Sequence, residues 1–258
     1  MKVCILGYGL SSLALAKCLI NQGISVDVLS NQKTKIYDKL RTLGITKSNV
    51  DFFNKNICKI NEALWDINKI EIFTDNLKEE KLIDFNNSNE RLFSIIRNKE
   101  LEKLLINDLK KRKFFKILKK TNLKNYNLII NCDSNNFLTK KYFYKKIKKN
   151  YKSYAHVTTF IHKKIFNNHT ATQIFSNDGP IAFLPVSNTE TSIVCSLRGI
   201  KKESKNYFQN IIDKYNTRYS INKINKVLSV ELDFVHLRKY HHGNVLAFGD
   251  LLHKIHPH

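Results

Sequence analysis

The stretch that most constrains this chain is the turn Gly7-Tyr8-Gly9-Leu10-Ser11-Ser12, because of what lies on either side of it. Lys2-Val3-Cys4-Ile5-Leu6 is a short apolar run of the kind that forms a buried parallel strand, and Leu13 to Ile20 is rich in helix formers. The turn therefore joins a strand to a helix. Gly7 permits a tight turn, and Gly9 has no side chain to hold a pyrophosphate away from the helix-start amides of Leu10, Ser11 and Ser12. Asn21-Gln22-Gly23 ends the helix and Ile24 to Leu29 supplies a second strand, completing a β-α-β unit. Ser12 takes the position of the third glycine and is small enough for close packing of helix on strand. Ser30 ends the second strand, where an acid that binds a ribose hydroxyl is expected. Asp27 is mid-strand and should point elsewhere. The alternative is a glycine-containing turn in an α/β domain that binds no nucleotide.

Composition narrows the class. A chain of 258 residues with 42% hydrophobic residues, 16 Phe and 11 Tyr can bury a substantial core and is not a disordered sequence. Its formal charge of +22 would attract nucleic acid, an anionic membrane surface or anionic substrates, but Lys is spread along the whole chain. The densest runs, Lys110 to Lys113 and Lys140 to Lys149, read either as phosphate-binding or as solvated helix faces. No recognition motif accompanies them, so nucleic acid is not an expected partner. The five cysteines are scattered without a Cys-x-x-Cys pair, as small apolar residues of a reducing compartment would be. With neither a leader pattern nor a membrane-spanning run, the expected location is the cytoplasm, with contact at the inner-membrane surface left open by the charge.

Further along, Val50 to Ile57 reads as a helix, Trp65-Asp66, Lys69 to Thr74 and Lys81 to Phe85 as strands, and Asn98 to Leu109 as an amphipathic helix. Phe114 to Leu118 and Leu128 to Ile130 are short strands, the second ending in Asn131-Cys132-Asp133-Ser134. Residues at the carboxyl end of a parallel strand face the ligand crevice, which singles out Asp133; an Asx turn explains it equally well. Tyr154 to Ile161, Ala171 to Phe175, Ile181 to Val186 and Thr191 to Leu197 follow with no helical pattern between them and predict a mostly antiparallel sheet. Ser204 to Tyr215 predicts a helix and Val227 to Tyr240 an extended segment. Asn244 to Asp250 returns to a buried strand ending in Gly-Asp.

Together these pieces resemble the FAD-dependent aromatic hydroxylases of the p-hydroxybenzoate hydroxylase fold, and among them the hydroxylases of ubiquinone biosynthesis. The opening turn resembles the first FAD fingerprint, Asp38-Lys39-Leu40-Arg41 the segment whose arginine lies near the cofactor, and Ile129 to Asp133 the place of the Asp-Gly motif. Gly179-Pro180-Ile181-Ala182-Phe183-Leu184-Pro185-Val186 resembles the subfamily's Gly-Pro-x-Ala-x-Leu-Pro stretch, and Gly249-Asp250 through Pro257 the second FAD motif.

The resemblance implies an α/β fold, a Rossmann-like FAD-binding domain (1–50, 91–150 and 241–258) interleaved with a mostly antiparallel substrate-binding sheet domain (51–90 and 151–240). It implies FAD held by Gly7, Gly9, Leu10, Ser11, Ser12, Ser30, Arg41, Asp133, Gly249, Asp250 and Pro257, with NAD(P)H as electron donor. The substrate it implies is an aromatic, prenylated phenol on the way to ubiquinone. Phe183, Leu184 and Pro185 are candidates for lining its pocket, or plain core residues. The flavin carries the hard chemistry, so no catalytic base is named. The family continues after His-Pro into a glycine-rich loop and a long helix, so the chain is expected to be C-terminally truncated. That leaves a rival reading, a non-catalytic scaffold associating with partner hydroxylases or an anionic membrane. His253, His256 and His258 have no Cys or carboxylate partner in sequence, and no metal site is expected.

Overall fold

A computed structural model describes residues 1–30, 41–75, 81–86, 91–199 and 205–254. Its opening β-α-β unit is strand β1 (Lys2–Leu6), helix α1 (Leu10–Asn21) and strand β2 (Ser25–Leu29). Gly23, in a left-handed conformation at φ 77°, donates to the Ile20 carbonyl and ends α1. There follow β3 (Thr42–Thr46), α2 (Lys47–Asn56), β4 (Trp65–Ile67), β5 (Lys69–Thr74), β6 (Ile83–Asn86) and β7 (Phe93–Arg97). Helix α3 (Asn98–Leu109) leads into β8 (Phe115–Leu118), β9 (Leu128–Asn131) and the short helix α4 (Phe137–Tyr142). The long strand β10 (Lys146–His162) precedes β11 (Thr170–Ser176), β12 (Gly179–Pro185), β13 (Glu190–Arg198), helix α5 (Lys205–Tyr215), β14 (Ile221–Ile224) and β15 (Leu228–Leu237). The last described strands are β16 (His241–His242), β17 (Val245–Ala247) and β18 (His253–Lys254).

Three sheets result. The first has the order β16-β17-β9-β1-β2-β8, parallel except for β16. The chain runs outward from β1 to β2 and β8, then returns to the other side of β1 for β9, so the strand order reverses between β1 and β9. In β1, Val3 and Ile5 face a core shared with α1 and α3, while Cys4 and Leu6 face a second core with Tyr126, Leu138 and Phe143. Burial on both faces is why β1 is an unbroken apolar run.

The large sheet, in the order β18-β15-β10-β13-β12-β11-β5-β6 with β14 also on β10, is antiparallel apart from the β5–β11 pair. Phe160, Ile181, Phe183 and Ile193 pack from it against Phe208, Ile211 and Ile212 of α5. The small sheet β3-β7-β4 ties to the large one, where Arg97 at the end of β7 pairs with Glu190 at 2.6 Å and the Thr42 hydroxyl donates to Ser192 Oγ at 3.1 Å, while its Ile45 and Ile96 share a core with Val3 and Ile5 of β1.

The run 140–149 departs from the expected helix face. Only Lys140 and Lys141 lie in α4, and Lys146 onward is strand, paired with β15 from Lys146 opposite Leu237. Lysine favours helix in isolation, but pairing along β15 outweighs that preference, and the five exposed residues at the head of β10 stay in water.

Candidate nucleotide cleft at the strand-order reversal

The carboxyl ends of β1, β2 and β9 are tied together by backbone hydrogen bonds: Gly7 N–H donates to Leu29 and Cys132 N–H to Leu6. Gly7 has φ 106°, and a Cβ there would stand 3.4 Å from the Cβ and N of Asp133. The turn then reaches Gly9, which caps α1 in an extended conformation with no side-chain cap, and the first turn of α1 has no acidic residue. The helix N-terminus is thus left to receive an anion, and its aligned amides favour one by about 0.3–1 kcal/mol. Ser12, 2% exposed, packs the helix onto the sheet and its hydroxyl meets the Cys132 thiol.

The end of the chain joins this turn. Phe248 N–H donates to the Asn131 carbonyl, and Gly249, at φ 66°, lies so close to α1 that a Cβ would be 3.4 Å from the Ser11 Cβ. Asp250 follows in a single 3-10 turn. A cleft of about 520 Å³ lies between these pieces. Gly7, Gly9, Leu10, Ser11 and Ser12 line it on the turn. Ser30, Arg41, Asp133, Gly249 and Asp250 line it from the surrounding strand ends. Pro257, the segment Asp38 to Leu40, His256 and His258 lie outside the described residues.

Asp133 makes a local turn and also faces the cleft. Its Oδ1 accepts from Asn135 N–H at 2.9 Å, an Asx turn, and the residue lines the cleft as well. Burial pushes the Cys132 thiol up to about 11; the Ser12 hydroxyl works against this, and the charges of Asp133 and Asp250 add to it.

Sequence reading missed the wall formed by α3. Asn98 and Glu102, one turn apart on one face of that helix, line the cleft together with Tyr8. They stand where the stripe of buried Leu101, Leu105 and Leu109 runs on to the start of the helix, so polar residues there were a readable signal, but which element they meet depends on the strand order. Burial, helped by the charge of Glu102, raises the Tyr8 phenol.

Phe183, Leu184 and Pro185 lie away from this cleft, and strand alternation divides them. Phe183, 2% exposed, belongs to the core under α5, whereas Leu184 packs on the opposite face with Trp65 and Phe93. Pro185 is buried opposite Thr191. The three therefore cannot line one pocket as a continuous patch. His253 forms an Nδ1–Nδ1 hydrogen bond of 2.9 Å with His236, whose Nε2 meets the Tyr240 hydroxyl at 2.7 Å.

No protein-family model matches the chain, and no curated protein matches it in sequence. Solved structures do match. One is PqsL, described as a probable FAD-dependent monooxygenase from Pseudomonas aeruginosa, with TM-score 0.75 at 14% identity over 100% of this chain and 80% of that one. Another is p-nitrophenol 4-monooxygenase PnpA from Pseudomonas putida, with TM-score 0.76 at 8% identity, 97% of this chain and 72% of that one. PqsL in complex with 2-aminobenzoylacetate also matches, with TM-score 0.73 at 14% identity over the same shares of the two chains. The fold is that of FAD-dependent monooxygenases. In a flavin-monooxygenase fold the parallel sheet, the strand-order reversal and the large antiparallel sheet form one architecture, and the expected α/β class with an interleaved antiparallel sheet is the one observed. Among the described residues no helix is long and apolar enough to cross a membrane.

Proposed function

We propose that this chain binds FAD in the cleft at the β1–β9 reversal and acts as an FAD-dependent monooxygenase on an aromatic ring, with NAD(P)H as the electron donor. The observation that carries the proposal is the meeting of three stretches far apart in sequence around one cleft: a Cβ at Gly7 would touch Asp133, and one at Gly249 would touch Ser11 at the start of α1. The residues fit the group. Gly7 and Gly9 leave backbone open beside an uncapped helix start, Arg41 adds a permanent cation for a pyrophosphate, and the Asp250 carboxylate can accept hydrogen bonds from ribityl hydroxyls. Bound flavin would supply the redox chemistry, accepting electrons from NAD(P)H and activating dioxygen. The protein's part is to hold the cofactor, orient the ring and keep water out.

The substrate class draws support from neighbours that act on or bind aromatic compounds, p-nitrophenol and 2-aminobenzoylacetate. A prenylated phenol of ubiquinone biosynthesis is the finer form of the proposal and rests on the Gly179 to Val186 stretch. In this reading the cofactor domain comprises 1–50, 91–150 and 241–258, and Leu184, on the face of β12 away from α5, is the member of its trio best placed toward substrate. Contact with an anionic membrane draws support from the exposed Phe137, Tyr144 and Ile147 set among Lys140, Lys141, Lys145, Lys146, Lys148 and Lys149. Salt-sensitive binding to phosphatidylglycerol vesicles is the expected result; equal binding to neutral vesicles would remove this part.

The deciding experiment is titration of the purified chain with FAD, followed by flavin fluorescence. Saturable binding, then aromatic-dependent oxidation of NADH or NADPH with oxygen-18 from dioxygen in the product, is expected. A folded sample that binds no FAD in excess would overturn the proposal.

A further inference from the structure

Just past the end of β2, where an acid normally meets the adenosine ribose, stands Ser30, so the diol of a bound dinucleotide lacks its usual partner at that position. Among the described residues, the carboxylates that line the cleft are Asp133, Asp250 and Glu102. Asp133 adjoins Gly7 and Asp250 follows Gly249 beside Ser11, which places both on the β1–β9 side. Glu102 comes from the opposite side. Helix α3 leads into β8, the neighbour of β2, and its Leu101, Leu105 and Leu109 share a core with Val26 and Val28 of β2 and Phe115 of β8. A helix that precedes a parallel strand starts at the carboxyl end of the sheet, so the first turns of α3 stand beside the end of β2. Asn98 N–H donates to the Arg41 carbonyl at 2.9 Å, fixing the start of α3 to a residue that itself lines the cleft. Glu102, half-buried, lies one turn further and carries its charge near the Tyr8 phenol in the dinucleotide turn.

We infer that Glu102 of α3 takes the place of the missing strand-end acid and accepts hydrogen bonds from the ribose diol of the adenosine half of the cofactor. The inference rests on the proposed FAD site and names a specificity residue within it. A carboxylate offers two oxygens to two vicinal hydroxyls, which neither Ser30 nor Asn98 can match, and one charge-assisted hydrogen bond is stronger than a neutral one. Supplying this acid from a helix leaves the end of β2 free to be small.

The test compares FAD with an analogue whose adenosine lacks the ribose 2′- and 3′-hydroxyls. Wild-type protein is expected to bind FAD at least tenfold more tightly than the analogue, and Glu102→Ala to bring the two affinities within about threefold. Alanine suits a helix interior, so the variant should fold, which a melting curve verifies. The double variant Glu102→Ala, Ser30→Asp, with the acid returned to β2, should recover the preference for FAD. If wild type binds FAD and Glu102→Ala keeps the full discrimination, this inference is wrong and the FAD site stands. If wild type binds neither compound, the FAD site itself falls, and this inference with it.

Discussion

A Cβ at Gly7 would meet the Cβ of Asp133 in ordinary contact at 3.4 Å, so the ends of β1 and β9 touch without crowding and it is the φ of 106° that reserves the position for glycine. Gly9, two residues on, differs: it is extended at φ −138°, and nothing lies within 4 Å of an added Cβ. The two glycines therefore separate folding from binding. Gly7→Ala should cost about 1–2 kcal/mol, because φ 106° strains any L side chain. Gly9→Ala should change stability by no more than about 0.5 kcal/mol yet weaken FAD binding at least tenfold, since its methyl stands where a pyrophosphate must approach. Urea unfolding and flavin fluorescence on both variants check this. Equal FAD affinity in Gly9→Ala and wild type would count against the site.

Lys17, its side chain 3% exposed, joins α1 to α3 through a 2.6 Å ion pair with Asp108 and is also bonded to Asn21. Removing the carboxylate leaves a buried ammonium short of its counter-ion, and Asp108→Asn should lose about 3 kcal/mol. Burial alone would raise the Asp108 carboxyl, but the hydrogen bond and charge of Lys17, with Arg112, hold it below the usual value of 3.8. The pair's stabilisation is therefore complete above that pH and lost as the pH falls through the lowered pKa. Between about pH 4 and 2, wild type should lose stability more steeply than Asp108→Asn, as followed by chemical denaturation across that range.

Gly179, at φ 136°, opens β12 where a Cβ would come within 1.9 Å of the Ser196 carbonyl oxygen of β13. No rotamer relieves a backbone clash. Gly179→Ala should cost about 3 kcal/mol by forcing the two central strands apart. A denaturation midpoint unchanged from wild type would show that the sheet can shift there freely.

Two thiols, the buried Cys4 and the half-buried Cys132, resist ionisation at alkaline pH. Burial, then the Asp27 charge, pushes Cys4 up to about 12, and Cys132 stands at about 11. Each thiol stays protonated in the folded chain after it would ionise in the unfolded one near 9.0. Their contribution is whole below pH 9 and disappears as the pH rises toward 11 and 12. Cys132→Ala should show a shallower loss of stability above pH 9. Iodoacetamide at pH 8 should leave Cys132 of the native protein unmodified, and rapid labelling would contradict its protection.

The β1-turn-α1 unit, the strand before Gly249 and the run of antiparallel strands were legible because each carries a local signature: an apolar run, a glycine turn or alternation. Of the small sheet only Trp65-Asp66 was read as strand. Thr42–Thr46 and Phe93–Arg97 have no sequence neighbour as partner, so only tertiary pairing defines them. For the site, glycines marked the places where backbone approaches backbone. Glu102 carried a weaker mark, since a glutamate beside the apolar stripe of an amphipathic helix reads the same in sequence whether it borders water or a cleft.

The pairing of β17 with β9, Val245 opposite Ile129, bears on how the protein is made. More than a hundred residues emerge from the ribosome between the two strands, and until the later one arrives β9 is an open, apolar edge next to β1. Such distant partners make assembly slow and leave the nascent chain prone to association. Ribosome-arrested chains ending before Val245 should remain protease-sensitive in the first parallel sheet, and those extending well past Asp250 should resist. Any cofactor would then be loaded late in synthesis, after the strand that closes the sheet has left the ribosome.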